Sequence, residues 1–169
     1  EIFVDAGDPP QLFAFRADGS PLGGAWPVKL EAGGLGKILA DLDGDGRPEL
    51  IGLSEMTVNC SGREMRQLVV FNGAGELVRS WNISACGLDP LPEAGRQLPA
   101  VGNLDDDANT LEIVTVSDCS SLMAFSLGKT NGPLWSASVE CRLIASPVVG
   151  DLNHDGRNEI VIGSFDPKE

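Results

Sequence analysis

Three segments of the chain share one pattern: Asp41-Leu-Asp-Gly-Asp-Gly-Arg-Pro-Glu49, Asn103-Leu-Asp-Asp-Asp-Ala-Asn-Thr-Leu-Glu112 and Asp151-Leu-Asn-His-Asp-Gly-Arg-Asn-Glu159. Each has an oxygen-bearing side chain at positions 1, 3 and 5 and a glutamate just before an apolar, strand-like run. Such recurrence restricts the chain to repeat architectures, in which successive units bury one another's faces. Oxygen ligands on alternate residues, closed by a carboxylate, suit a hard cation of flexible coordination. Calcium takes about six to eight oxygens at roughly 2.3–2.6 Å. The pattern therefore predicts calcium (Ca2+) held by Asp41, Asp43, Asp45 and Glu49. Asn103, Asp105, Asp107 and Glu112 form the second candidate set, and Asp151, Asn153, Asp155 and Glu159 the third.

A second pattern recurs between the loops: Gln11-Leu-Phe-Ala-Phe15, Gln67-Leu-Val-Val-Phe71 and Ser121-Leu-Met-Ala-Phe125. A glycine-containing turn follows each, then a strand carrying Trp26, Trp81 or Trp135. Short apolar strands separated by Gly and Asn turns predict an all-β fold, and no segment shows helical periodicity. The first strand of a repeat is expected near Lys37–Ala40, Pro99–Val101 and Ser146–Val149, and the second at Leu50–Leu53, Ile113–Val116 and Ile160–Gly163. The third ends in the phenylalanine and the fourth holds the tryptophan. Four antiparallel strands in roughly 50 residues is the arithmetic of a β-propeller blade. The chain reads as one partial propeller domain over 1–169, with repeats 1–40, 41–102, 103–150 and 151–169, the last being the start of a further blade. Glu1-Ile-Phe-Val aligns with Glu49-Leu-Ile-Gly, so Glu1 is expected to close a further loop upstream, in a longer repeat protein.

The net charge of −13 and pI near 4.3 argue against nucleic acid and anionic membrane as partners. Much of that charge lies in the loops, and three calcium ions would offset six of the thirteen negative charges. No apolar run is long enough to insert in a membrane as a helix. Four cysteines allow three pairings, and the absence of C-x-x-C excludes a zinc ribbon. Weak calcium loops and low thiol usage favour an extracellular, cell-surface or periplasmic setting.

The loops D-L-D-G-D-G-R-P-E and D-L-N-H-D-G-R-N-E, each after a small apolar strand, resemble the FG-GAP/VCBS repeats of integrin-α-like β-propellers. The resemblance covers about three blades. It implies that the loop is a hairpin joining the two inner strands of a blade, with the carbonyls of Arg47 and Arg157 completing the first and third sites. The second loop departs from the pattern, with Asn103 at its start, Ala108 where the others have glycine, and one extra residue before Glu112. A weaker or differently coordinated site is expected there. The missing Phe-Gly signature favours the bacterial VCBS variant over a true integrin.

Other readings fit less well. An EF-hand needs a glutamate at position 12 and flanking helices, but position 12 is Gly52 in the first loop and Ile162 in the third. The three tryptophans could form a glycan-stacking row, yet their equivalence between repeats argues for blade packing. His154, the only histidine, lies between loop ligands and builds no catalytic triad. Asn59-Cys-Ser and Asn82-Ile-Ser are glycosylation sequons.

The resulting expectation is a non-catalytic, calcium-stabilised extracellular module for protein or glycan recognition, adhesion or surface assembly, completed by further blades or copies. The alternative is the propeller part of a secreted polysaccharide lyase or hydrolase. Quinoprotein propellers, which Leu-Met-Ala-Phe and Gly-Pro-Leu-Trp also resemble, rank last because calcium loops are foreign to them. With two connections of each blade emerging opposite the calcium hairpins, bridges Cys60–Cys86 and Cys119–Cys141 are expected. The first two loops start 62 residues apart and the next two 48. The excess, at Glu55–Arg66 and Ser84–Arg96, is expected to protrude as a cross-linked contact surface.

Overall fold

The computed structural model describes residues 1–30, 35–54, 57–58, 64–84, 97–105, 107, 109–117, 120–129, 131–143 and 145–165. Every regular element among them is a β-strand, and every pairing is antiparallel. The first sheet holds β1 (Ile2–Ala6), β2 (Gln11–Phe15) and β3 (Val28–Lys29) in that order. The second runs β4 (Leu35–Ala40), β5 (Glu49–Ser54), β7 (Glu64–Phe71), β8 (Leu77–Ser84). The short β6 (Thr57–Val58) pairs with the beginning of β7. The third sheet orders β9 (Ala100–Gly102), β10 (Glu112–Ser117), β11 (Ser121–Phe125) and β12 (Trp135–Ser138). Then come two small pairs: β13 (Arg142–Leu143) with β16 (Ser164–Phe165), and β14 (Val148–Gly150) with β15 (Glu159–Val161). The four-strand meander expected from the sequence is present in the second and third sheets.

The sheets stack, and this explains the apolar runs after each loop. β5 and β10 are buried at every position because a neighbouring sheet covers each of their faces. Leu12, Val28, Leu50, Val69 and Phe71 join the first sheet to the second. Ile51, Leu68, Val70, Trp81, Ile113 and Phe125 join the second to the third. Val114, Val116, Leu122 and Leu143, with Val149 and Ile160 against them, continue the core to the last pair. Each fully buried aliphatic or aromatic side chain contributes about 1.5–3 kcal/mol.

The tryptophans act between sheets. Trp26 of the first repeat packs against Phe71 of the second (ring centroids 6.3 Å apart), and Trp81 of the second against Phe125 of the third (5.0 Å). Trp26 precedes β3 instead of lying in a strand, and its indole N–H donates to the Gly73 carbonyl at 3.1 Å. That turn must approach closely: a Cβ on Gly75, at φ +85°, would meet the Trp26 ring at 3.1 Å. Trp135 breaks the expected equivalence, since it is 37 % exposed where Trp81 is 5 %.

One expected loop also needs correction. Residues 64–66 of the 55–66 extension belong to β7, and Arg66 is buried, so that end pairs and does not protrude. Residues 55–56, 59–63 and 85–96 lie outside the described residues. No described helix is long and apolar enough to cross a membrane.

Candidate metal centre

The ladder between β4 and β5 ends at Ala40 opposite Glu49, so the first acidic loop is the turn of a hairpin. Its anchor is Leu42, whose side chain is buried in the core between the second and third sheets. The Leu42 N–H donates to Glu49 Oε2 at 2.9 Å, tying the start of the loop to its closing carboxylate. Asp41 Oδ2 accepts from the Gly46 N–H (2.9 Å), Asp43 Oδ1 from Asp45 (3.2 Å) and Asp45 Oδ1 from Arg47 (2.7 Å). Backbone amides of the turn thus hold all three aspartates. Oxygens of Asp41, Asp43 and Glu49 all lie within 4.8 Å of one another. Asp45 belongs to the same turn but not to this converging group.

Two features of the trio call for a cation. Asp41 Oδ1 is buried with no hydrogen-bond partner, and a buried, unpartnered charged oxygen is costly. Burial also pushes the Glu49 carboxyl above the ordinary glutamate range, against the opposing Leu42 N–H bond, and the charges of Asp43, Asp45 and Asp41 push it further. The donors are hard carboxylate oxygens, which suit calcium, magnesium or manganese.

The other two loops are closed by the same amide-to-glutamate bond but carry an asparagine among their candidate ligands, and among the described residues no further trio of acidic side chains comes together. In the second, Leu104 N–H donates to Glu112 Oε2 at 2.9 Å, and Asn103, Asp105 and Asp107 each accept a nearby amide. Asp105 also bonds Lys129 Nζ at 2.6 Å. That bond holds the Asp105 carboxyl below its ordinary range and the Lys129 ammonium above its own. Ala108, whose substitution for glycine predicted a weaker site, lies outside the described residues.

In the third loop, Leu152 N–H donates to Glu159 Oε2 (2.8 Å) and Gly156 N–H to Asp151 Oδ2 (3.0 Å), as in the first. The Arg157 N–H donates to Asp155 Oδ1 at 2.9 Å, the counterpart of the Arg47 bond. Here the Asn153 amide lies between the carboxylates, donating to Asp155 Oδ2 (3.0 Å) and Glu159 Oε1 (3.2 Å). His154 takes the place of Gly44 and adopts the same left-handed conformation, φ 61° against 74°.

Successive loops also touch, which the sequence pattern did not disclose. The Leu111 N–H donates to the Leu42 carbonyl at 3.0 Å, and the Asn158 N–H to the Asn103 carbonyl at 3.3 Å. Each donor immediately precedes a closing glutamate. Lys129 was missed too. Its signal lay in topology: the turn from third to fourth strand emerges at the same end of a meander as the acidic hairpin.

Of the cysteines, Cys141 is described, as a free and half-buried thiol. The expected Cys119–Cys141 bridge is therefore not seen, no second described sulfur lying within reach; Cys60, Cys86 and Cys119 fall outside the described residues. Asn82 is exposed on β8 and Asn59 is not described. The chain matches no protein-family model and no curated protein sequence. Fold and site together define an all-β protein of small antiparallel sheets, two of them built on a four-strand meander, the second sheet with the short β6 as a fifth strand, and with an acidic trio able to hold a metal ion.

Proposed function

We propose that the chain is a calcium-stabilised β-propeller segment of the FG-GAP/VCBS type, acting outside the cytoplasm as a recognition or assembly module for a protein or glycan partner. The observation that carries the metal reading is the convergence of Asp41, Asp43 and Glu49 within 4.8 Å, with a buried Asp41 oxygen left unpartnered. Calcium is favoured over magnesium because the loop supplies several carboxylates on a turn of flexible geometry, whereas magnesium demands a near-ideal octahedron and keeps its waters. The propeller reading is supported by the sequential stacking of meanders and by the Trp-to-Phe packing from the first sheet to the second and from the second to the third. The ion has a structural role: it neutralises carboxylates that repel one another and clamps the β4–β5 hairpin.

An ion that binds only the folded state adds about 2.7 kcal/mol at a hundred times its dissociation constant. The test is isothermal titration with calcium and calorimetric melting with and without chelator, on the intact chain and on Asp43→Asn. Calcium should raise the melting temperature of the wild type and act less on the variant. Identical titrations and melts for the two proteins would overturn the reading.

A further inference from the structure

We propose that Lys129 is the resident counter-cation of the second acidic loop, a tethered ammonium that does there part of what a metal ion does in the first. The proposal rests on the metal reading of the first loop only as its point of comparison.

The second loop is closed like its neighbours, by an amide two residues from the strand bonded to the closing glutamate: Leu104 to Glu112, Leu42 to Glu49, Leu152 to Glu159. Its carboxylates are nevertheless compensated differently. Asp105 Oδ2 accepts from Lys129 Nζ at 2.6 Å while Asp105 Oδ1 accepts from the Asp107 N–H at 2.8 Å, so both oxygens are engaged. Behind them Glu112 is wholly buried, and its Oε1 has no hydrogen-bond partner. A carboxylate so placed needs positive charge nearby. Lys129 brings that charge into the loop through its bond to Asp105.

Lys129 is delivered by a held turn. Arg79, from β8 of the preceding sheet, donates to the Leu127 carbonyl (3.1 Å) and to Asn131 Oδ1 (3.4 Å), one contact on each side of Lys129. The equivalent turn of the second sheet, Asn72-Gly-Ala-Gly-Glu76, has no cationic residue, and in that repeat the loop acids converge instead. The second loop carries four acids, Asp105, Asp106, Asp107 and Glu112, as many as the first, but lacks the arginine found at 47 and 157 in the others; Lys129 offsets one of those charges. An ammonium brings one charge and three donors, against two charges and about six to eight ligand positions for calcium. It therefore supports the loop without metal and competes with any ion that enters.

The experiment compares calcium and terbium titrations and chelator melts of the intact wild type, Lys129→Met, Lys129→Arg and Lys129→Met/Asp105→Asn. Lys129→Met should bind one more ion, or tighten the weakest site about tenfold or more, as expected for removing a neighbouring positive charge. It should also melt below the wild type in chelator and recover in calcium. Lys129→Arg should behave as the wild type, and Asp105→Asn should abolish the gain. Unchanged titration and melting of Lys129→Met would overturn the proposal, as would a Lys129→Met protein that fails to fold in calcium and chelator alike. Asp43→Asn keeps the two assignments apart. If it changes nothing while Lys129→Met gains an ion, the first-loop assignment falls and the Lys129 assignment stands. If Asp43→Asn loses calcium while Lys129→Met titrates and melts as the wild type, the Lys129 assignment falls and the first-loop assignment stands.

Discussion

The contact between successive loops can be isolated by two substitutions of the same kind. Gly44 and Gly46 lie in one turn, both left-handed, at φ +74° and +85°. Alanine at either position meets the same backbone penalty, about 1–2 kcal/mol, and the same loss of freedom in the unfolded chain. Those contributions cancel in the comparison. The surroundings do not. A Cβ on Gly46 has no atom within 4 Å, whereas one on Gly44 would lie 2.5 Å from the Asn109 carbonyl oxygen in the second loop. That oxygen is backbone, so the two loops must part, and the hydrogen bond from Leu111 to Leu42 is expected to go with the contact. A net backbone hydrogen bond is worth about 0.5–1.5 kcal/mol. Gly46→Ala should therefore cost about 1–2 kcal/mol and Gly44→Ala about 1.5–3.5 kcal/mol, where a chain of this size loses about 2–4 °C per kcal/mol. Calorimetry of both variants in excess chelator measures the difference. Equal losses, within about 0.5 kcal/mol, would refute the claim that the loops bear on one another.

Trp81→Ala should cost about 3–5 kcal/mol in urea unfolding, and Trp135→Ala less than about 1 kcal/mol; comparable losses would contradict the difference in their burial. His154→Gly should relieve left-handed strain and stabilise by up to about 1 kcal/mol, and a marked loss in the same assay would show that the imidazole matters. Because burial raises the folded Glu49 carboxyl, the native state holds its proton to higher pH than the unfolded chain. Without metal, that contribution is full below the unfolded value of about 4.3 and is lost as pH rises through the raised folded value. Glu49→Gln should flatten this part of the pH dependence of the urea midpoint in chelator, and an unchanged profile would refute it.

Legibility followed the range of the interactions. The second and third sheets were readable because alternating loop and apolar run recur, and the loops sit at the hairpin turns where the spacing put them. The left-handed backbone of His154 was not read from the sequence, although the residue stands where Gly44 does in the first loop. Nor were ladder ends: β7 begins at Glu64 because it also pairs with β6, so part of an apparent insertion is strand. Trp135 read like Trp81 because the motif records what a side chain is and not whether a neighbouring sheet covers it. Lys129 lies 24 positions from Asp105, and only the fold joins them.

Two different kinds of continuity hold the repeats in line. Through the middle of the stack it is apolar: the tryptophan of one meander lies on the phenylalanine of the next, so a lost ring weakens two sheets at once. At the acidic end it is polar and directional. The carbonyl of Leu42 holds the amide before Glu112, and the carbonyl of Asn103 holds the amide before Glu159. Glu112 and Glu159 are thus each steadied from two sides, by the amide of their own loop and by the backbone of the loop before it. A cation that fixes Asp41, Asp43 and Glu49 therefore also fixes the backbone on which the second loop leans. The second loop in turn is restrained by the bond of Lys129 to Asp105 and by the Leu42 carbonyl.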